Sequence, residues 1–150
     1  MFTQPKKDGK KASFLLNCIP RNLKTHKYRM PIPSIYQNID WLASKRFKSK
    51  LDLTDGYHNI RHHPDSVKHS TFSCHMGKFD SLVMQQGDCN APATMMRAMN
   101  WLLREFIGKT VMVYLDNILI GKNTYEEHVQ TVRAVLKTLE NIMAQVRDLR

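Results

Sequence analysis

Val111-Met112-Val113-Tyr114-Leu115-Asp116-Asn117-Ile118-Leu119-Ile120 reads as two apolar runs of strand length on either side of a polar tip, the pattern of a β-hairpin turning at Tyr114 to Asn117. A carboxylate in such a turn is displayed, not buried, which makes Asp116 a candidate for chemistry. Taken alone, an aspartate ending a strand is a solvated turn former. Its company changes the reading. Upstream, Phe47 to Leu53 reads as a strand delivering Asp52 to its end, with Asp55-Gly56 as the turn that follows. Between the two aspartates, VMQQGDCNAPATMM (residues 83–96) reads as a turn running into a helix start. Asp52 and Asp116 lie 64 residues apart, so only a folded sheet brings them together.

Outward from the hairpin, Thr124 opens a capping box with Glu127. Val129, Val132, Val135, Leu136, Leu139, Ile142, Met143 and Val146 then form one apolar stripe of a long helix. Before the hairpin, Asn90 as N-cap, Pro92 in the first turn and Gly108 as the stop predict a helix. Its Met95, Met99, Leu102, Leu103 and Phe106 keep helical spacing and read as core packing. Thr71 to Cys74 and Ser81 to Met84 are strand candidates linked across Met76-Gly77-Lys78. Ser34 caps an expected helix of about ten residues carrying Ile35, Ile39 and Leu42. Pro20, Pro31 and Pro33 forbid a continuous helix before it, and the polar start with Asp8-Gly9, followed by SFLLNCI, suggests a basic hairpin. The sum is an α+β domain, a small antiparallel sheet with helices on one face.

A chain of 150 residues is long enough to bury a real core as one folded unit. Its net charge of +10 is unevenly spread: residues 1–50 hold twelve basic and two acidic side chains, while the remaining hundred hold eleven of each. A basic first third suits phosphate neutralisation and salt-dependent binding. Cys18, Cys74 and Cys89 are odd in number and lack CxxC spacing, which indicates neither a disulfide framework nor zinc. His58, His62, His63, His69 and His75 show no repeated ligand spacing, so surface or strand positions are the better reading. No apolar run approaches the roughly 18 residues of a membrane span, and no apolar segment follows the charged N-terminus as a signal peptide requires. The expectation is a protein inside the cell, in cytoplasm or nucleus, with no membrane partner.

KLDLTDGYHNI, VMQQGDCNAPATMM, VYLDNILI and the leading PKKDGK together resemble the reverse transcriptase (RNA-directed DNA polymerase) of gypsy-type LTR retrotransposons, particularly the fungal versions, from about Pro5 to Glu140. The resemblance implies a fingers and palm fold, with residues 1–50 as partial fingers and 51–150 as a palm truncated before the thumb. It implies catalytic, metal-binding aspartates at Asp52 and Asp116, which would hold two Mg²⁺ ions, with Mn²⁺ able to substitute, because only clustered anionic oxygens hold two divalent ions about 3.5 to 4 Å apart. By the same resemblance Tyr57 floors the nucleotide pocket and Gln86-Gly87 is the turn that touches the incoming dNTP. Lys6, Lys7 and Lys10 belong to the loop that folds over the triphosphate. The partners would be an RNA or DNA template with its primer, and thumb and RNase H would come from elsewhere.

The chain also departs from the family pattern. Where the family hairpin carries two aspartates, Asp116 is followed by Asn117, a degenerate metal position with one neutral ligand oxygen. At an effective dielectric near 20, a unit charge about 4 Å from another is worth roughly 4 kcal/mol, and about 3 kcal/mol is already over a hundredfold in rate. Ser13 stands where the family commonly has a triphosphate-gripping arginine, and Asn17 where it has an aspartate. The expectation is therefore a weakly active or inactive polymerase, with a non-catalytic nucleic-acid-binding remnant as the alternative.

Overall fold

The computed structural model describes residues 2–5, 12–31 and 33–148, with side-chain surroundings for 16–31 and 33–141. In chain order the elements are β1 (Phe2–Pro5), β2 (Ala12–Leu15), α1 (Ile19–Lys24), α2 (Ile35–Ala43) and β3 (Phe47–Asp52). There follow α3 (Pro64–Val67), β4 (Phe72–Cys74), β5 (Gly77–Phe79), α4 (Ala91–Leu102), β6 (Val111–Tyr114), β7 (Asn117–Lys122) and α5 (Tyr125–Asp148). This is the α+β mixture the sequence predicts. The chain groups into two compact units, Met1–Arg29 with Asp55–Pro92, and Met30–Thr54 with Ala93–Arg150. The grouping is interleaved along the chain.

The second unit is built on the antiparallel sheet β3-β7-β6. Paired residues share a face, so the register Leu51↔Ile118↔Val113 and Ser49↔Ile120↔Val111 gathers one apolar side. Val111, Ile118 and Ile120 are fully buried there, with Met95, Met96, Met99 and Leu103 of α4 and the turn after it, and Val135 of α5. The methionine stripe is core, as its spacing predicts. Helix α5 meets β3 through Phe47, whose ring lies edge-on to Tyr125 at 5.7 Å, and through Ser49, whose hydroxyl sits 2.8 Å from His128 Nε2. Alternation along β3 turns Lys48, Lys50 and Asp52 away from that side, and all three are exposed. Helix α2 approaches at Gly121, where an added Cβ would lie 3.3 Å from the Trp41 ring and closer still to the stem of Lys45.

The first unit holds two short hairpins. β1 pairs with β2 from Phe2↔Leu15 to Pro5↔Ala12, as the basic hairpin expectation requires, and its connecting residues 6–11 lie outside the described residues. β4 pairs with β5 through Phe72↔Phe79 and Cys74↔Gly77. Here the sequence reading needs correction: the partner of Thr71 to Cys74 is 77–79, not Ser81 to Met84. Gly77 adopts φ 132°, open to glycine alone, and so closes a two-residue turn at His75-Met76. Residues 82–84 pair instead with 60–62, through Met84 N–H to the Ile60 carbonyl at 2.8 Å and His62 N–H to the Leu82 carbonyl at 3.0 Å.

The helices add one unexpected element, one missing cap bond and one shifted end. α1 begins beside Pro20, because proline is tolerated in a first turn even though it breaks a helix interior. α2 starts after Ser34, but the Ser34 hydroxyl makes no capping bond. α4 ends at Leu102, six residues before Gly108, and the chain winds on in turns through the Leu103 and Phe106 carbonyls. No helix among the described residues is long and apolar enough to cross a membrane.

Candidate functional site

Two-residue hairpin turns impose their own backbone. Tyr114 pairs with Asn117, leaving Leu115-Asp116 as the turn, and Leu115 takes φ 57°. A positive φ at the first central position only is the habit of a type II′ turn, normally filled by glycine. A leucine held there stores strain of about 1–2 kcal/mol. Its N–H reaches Met96 Sδ at 3.1 Å, tying the turn to the buried face of α4.

The turn lies beside the end of β3. Leu53 N–H donates to the Asp116 carbonyl at 3.1 Å, and Asp52 is the register partner of Asn117. Because 53 and 116 make the ladder bond, 52 and 117 form the close, non-hydrogen-bonded kind of pair, with Cα atoms about 4.5 Å apart. The sheet thus brings together Asp52, Asp116 and Asn117 in one unit. Asp52 is exposed; Asp116 and Asn117 are half-buried, so Asp116 is less displayed than its turn position predicts. Asn117 Nδ2 donates to Asp116 Oδ1 at 3.1 Å, which fixes the carboxylate beside the amide.

Asn117 Oδ1 is buried with no hydrogen-bond partner. Leaving an amide oxygen unsatisfied costs about 1–3 kcal/mol, and a cation is the kind of group that would satisfy it. With the carboxylates of Asp52 and Asp116, the donor set is entirely oxygen, as a hard divalent ion requires. These residues fit a divalent metal in kind, with one negative charge fewer than three carboxylates would give. Among the described residues no cluster of three His, Cys, Asp or Glu side chains is placed to hold a metal.

The remaining candidates belong to the first unit. Tyr57 is half-buried in the 3₁₀ turn Gly56–Asn59, which Asp55 enters with φ 51°. Gln86 and Gly87 are exposed in the turn before α4. A Cβ on Gly87 would stand 3.0 Å from Cys18 Sγ, so the close approach this glycine permits within the unit is that of Cys18. Burial pushes the Cys18 thiol above its ordinary value of 9.0, against the lowering effect of Arg21. Lys6, Lys7 and Lys10 lie outside the described residues.

Sequence reasoning missed what holds the 85–90 turn. Arg21 pairs with Asp88, Asn22 bonds the Gly87 carbonyl at 2.9 Å and the Cys89 N–H at 3.0 Å, and Asn90 bonds the His26 carbonyl and the Tyr28 N–H, each at 2.9 Å. Asn90, expected as a helix cap, spends its amide on residues 26 and 28 instead. The sequence signal was slight: one charged residue and one asparagine in each segment, Arg21 and Asn22 in CIPRN and Asp88 and Asn90 in GDCN.

Comparison with known proteins gives a consistent picture. The family model described as reverse transcriptase (RNA-dependent DNA polymerase) matches residues 4–148. The retrovirus-related Pol polyprotein from transposon opus of Drosophila melanogaster is 33% identical over 144 residues, 95% of this chain and 14% of that polyprotein. That from transposon gypsy of the same organism is 36% identical over 118 residues, 79% of this chain and 11% of the polyprotein. In fold, the chain is similar to prototype foamy virus protease-reverse transcriptase, with TM-score 0.77 and 27% identity over 93% of this chain and 18% of that one. The chain thus spans a small part of the length of the relatives it matches.

Proposed function

This chain belongs to the reverse transcriptase (RNA-dependent DNA polymerase) family, and from that premise we propose that it performs template-directed nucleotidyl transfer for a gypsy-type retrotransposon polyprotein, weakened where metal is held. The observation that carries the reading is the pairing of Asp52 with Asn117 beside Asp116 at the hairpin tip. Members of the family use divalent metals, and Asp52 and Asp116 would hold two Mg²⁺ ions, or Mn²⁺ in their place. The ions supply Lewis-acid activation of the primer 3′-hydroxyl and neutralise the triphosphate. The chain's own groups set that site up. The exposed carboxylate of Asp52 is held at a strand end, Asp116 is fixed by its turn and by the Asn117 amide, and Asn117 offers a neutral oxygen where an anion would bind more tightly. Tyr57 floors the nucleotide site and Gln86 contacts the incoming dNTP, with Gly87 letting the turn close. Lys6, Lys7 and Lys10 supply point charges to the triphosphate.

Template and primer, RNA or DNA, are the macromolecular partners, and the basic first third supports that assignment. The setting is intracellular. A second reading, a non-catalytic nucleic-acid-binding remnant, is favoured by one observation, the neutral Asn117. Primer extension on an RNA template with a DNA primer, in Mg²⁺ and in Mn²⁺, separates the two. Extension by Asn117→Asp at least about a hundredfold above the native chain, abolished by Asp52→Ala, supports the weakened polymerase. RNA binding that survives Asp52→Ala with no extension by any variant supports the remnant and overturns the enzyme reading.

A further inference from the structure

Helix α1 has only six residues, and its apolar side chains Ile19 and Leu23 are 66% and 81% exposed, so burial on that side does not hold it. Polar contacts to the 85–89 turn do. Arg21 Nη2 donates to Asp88 Oδ1, while Asp88 Oδ2 accepts the Gln85 N–H at 3.3 Å. One carboxylate therefore ties the turn internally and also anchors it to α1. Asn22 brackets the same residue, accepting from Cys89 N–H and donating to the Gly87 carbonyl, and Cys18 fills the space a side chain on Gly87 would take. Both charges of the pair are largely shielded, with 24% and 17% of their side chains exposed. Breaking such a shielded pair by removing one partner strands a partly buried charge, which is what makes its loss costly. Gln86 is the exposed side chain amid these fixed neighbours.

We propose that the Arg21–Asp88 ion pair, seconded by Asn22, is a clamp that holds the Gln85–Cys89 turn so that Gln86 is presented to an incoming deoxynucleoside triphosphate. Arg21 and Asp88 are then positioning residues for nucleotide capture, acting through Gln86. The assignment rests on the polymerase reading above. An amide on a loose loop would lose conformational freedom on meeting a ligand; an amide on a clamped turn has already lost it, which raises affinity without any new contact.

The test is fluorescence anisotropy of a labelled dATP titrated against protein bound to an RNA–DNA template-primer in Mg²⁺. Asp88→Asn keeps an acceptor for Gln85 but removes the charge, and is expected to weaken dATP binding about tenfold while the protein still melts cooperatively. Arg21→Lys retains the charge and should stay within about threefold of native, a rescue that distinguishes the clamp from mere packing. Gln86→Ala should lose as much as Asp88→Asn, and the double variant no more than the worse single one, because both act through one group. Should Asp88→Asn fail to fold, Arg21→Gln, which leaves the Gln85 and Asn22 bonds in place, is expected to give the same loss. Native affinity in Asp88→Asn or Arg21→Gln, or losses that multiply with Gln86→Ala, overturns the clamp while the polymerase reading stands. Absence of dATP binding by the native complex overturns both.

Discussion

Asn117 differs from aspartate by one atom and one charge, yet its two amide ends do opposite things: Nδ2 satisfies Asp116 while Oδ1 is buried without a partner. An aspartate at 117 could not donate, so Asp116 would lose a hydrogen bond of about 1.5–3 kcal/mol and gain a like charge beside it. Asn117→Asp should therefore lower the melting temperature by several degrees in chelator, a shift of roughly 2–4 °C per kcal/mol at this size. The same variant should regain more than that loss in millimolar Mg²⁺, because a ligand bound only by the folded state stabilises it. Calorimetric scans of both proteins with and without Mg²⁺ check this; equal melting in chelator and no larger metal response would sink the idea that this amide stands in a metal position. At this scale the sequence was readable where residue type matches local chemistry, as for Asp52 at a strand end and Asp116 in a turn. It was unreadable at Leu115, whose positive φ is imposed by a two-residue turn against the preference of leucine. It was equally silent on Arg21 and Asp88, whose pairing across 67 residues exists only after folding.

Elements with strong periodicity emerged in kind and order where the sequence placed them, although α4 stops short of Gly108: the central hairpin, β3, and the helices α2, α4 and α5 all carry apolar spacing that only one backbone geometry buries on one side. Short elements did not, because two or three pairing residues say little and a single glycine decides them, as Gly77 does for β4 and β5. Gly121 is the converse case, a glycine inside a strand whose reason is packing. An added Cβ would come within 2.6 Å of Lys45 Cγ and 3.3 Å of Trp41 Cη2, where α2 crosses β7. Gly108 provides the control, with φ 79° but open space around it. Gly121→Ala should cost about 1–3 kcal/mol by overpacking, and Gly108→Ala about 1–2 kcal/mol by backbone strain alone. Truncating Lys45 to alanine, which removes the Cγ at 2.6 Å, should then recover part of the loss in the Gly121→Ala background and none in the Gly108→Ala background. Urea unfolding of the three single and two double variants measures this, and strict additivity of Lys45 with Gly121 would mean that the glycine does not serve this contact.

For the molecule as a whole, the question is where the +10 charge acts. Along the sequence it lies entirely in residues 1–50, but folding divides it, since the first unit holds eleven basic and five acidic residues and the second holds twelve and eight. A linear tally thus reads as one basic arm what the fold distributes as +6 and +4. If both units contact phosphates, the salt dependence of RNA binding must exceed what either could give alone. Each phosphate neutralised on a single strand contributes about −0.7 to the slope of log affinity against log salt, so four to six contacts predict a slope near −3 to −4. Replacing Lys6, Lys7 and Lys10 together by alanine should flatten that slope by about 2, and replacing Lys48 and Lys50, exposed on β3, by about 1. Filter binding across a salt series reads both changes on the same RNA. A slope near zero would remove nucleic acid as a partner, and a slope carried wholly by the three N-terminal lysines would restore the picture of a single basic arm. Losses in both sets would instead mean that lysines of each unit neutralise phosphates, so that the charge acts as the fold distributes it.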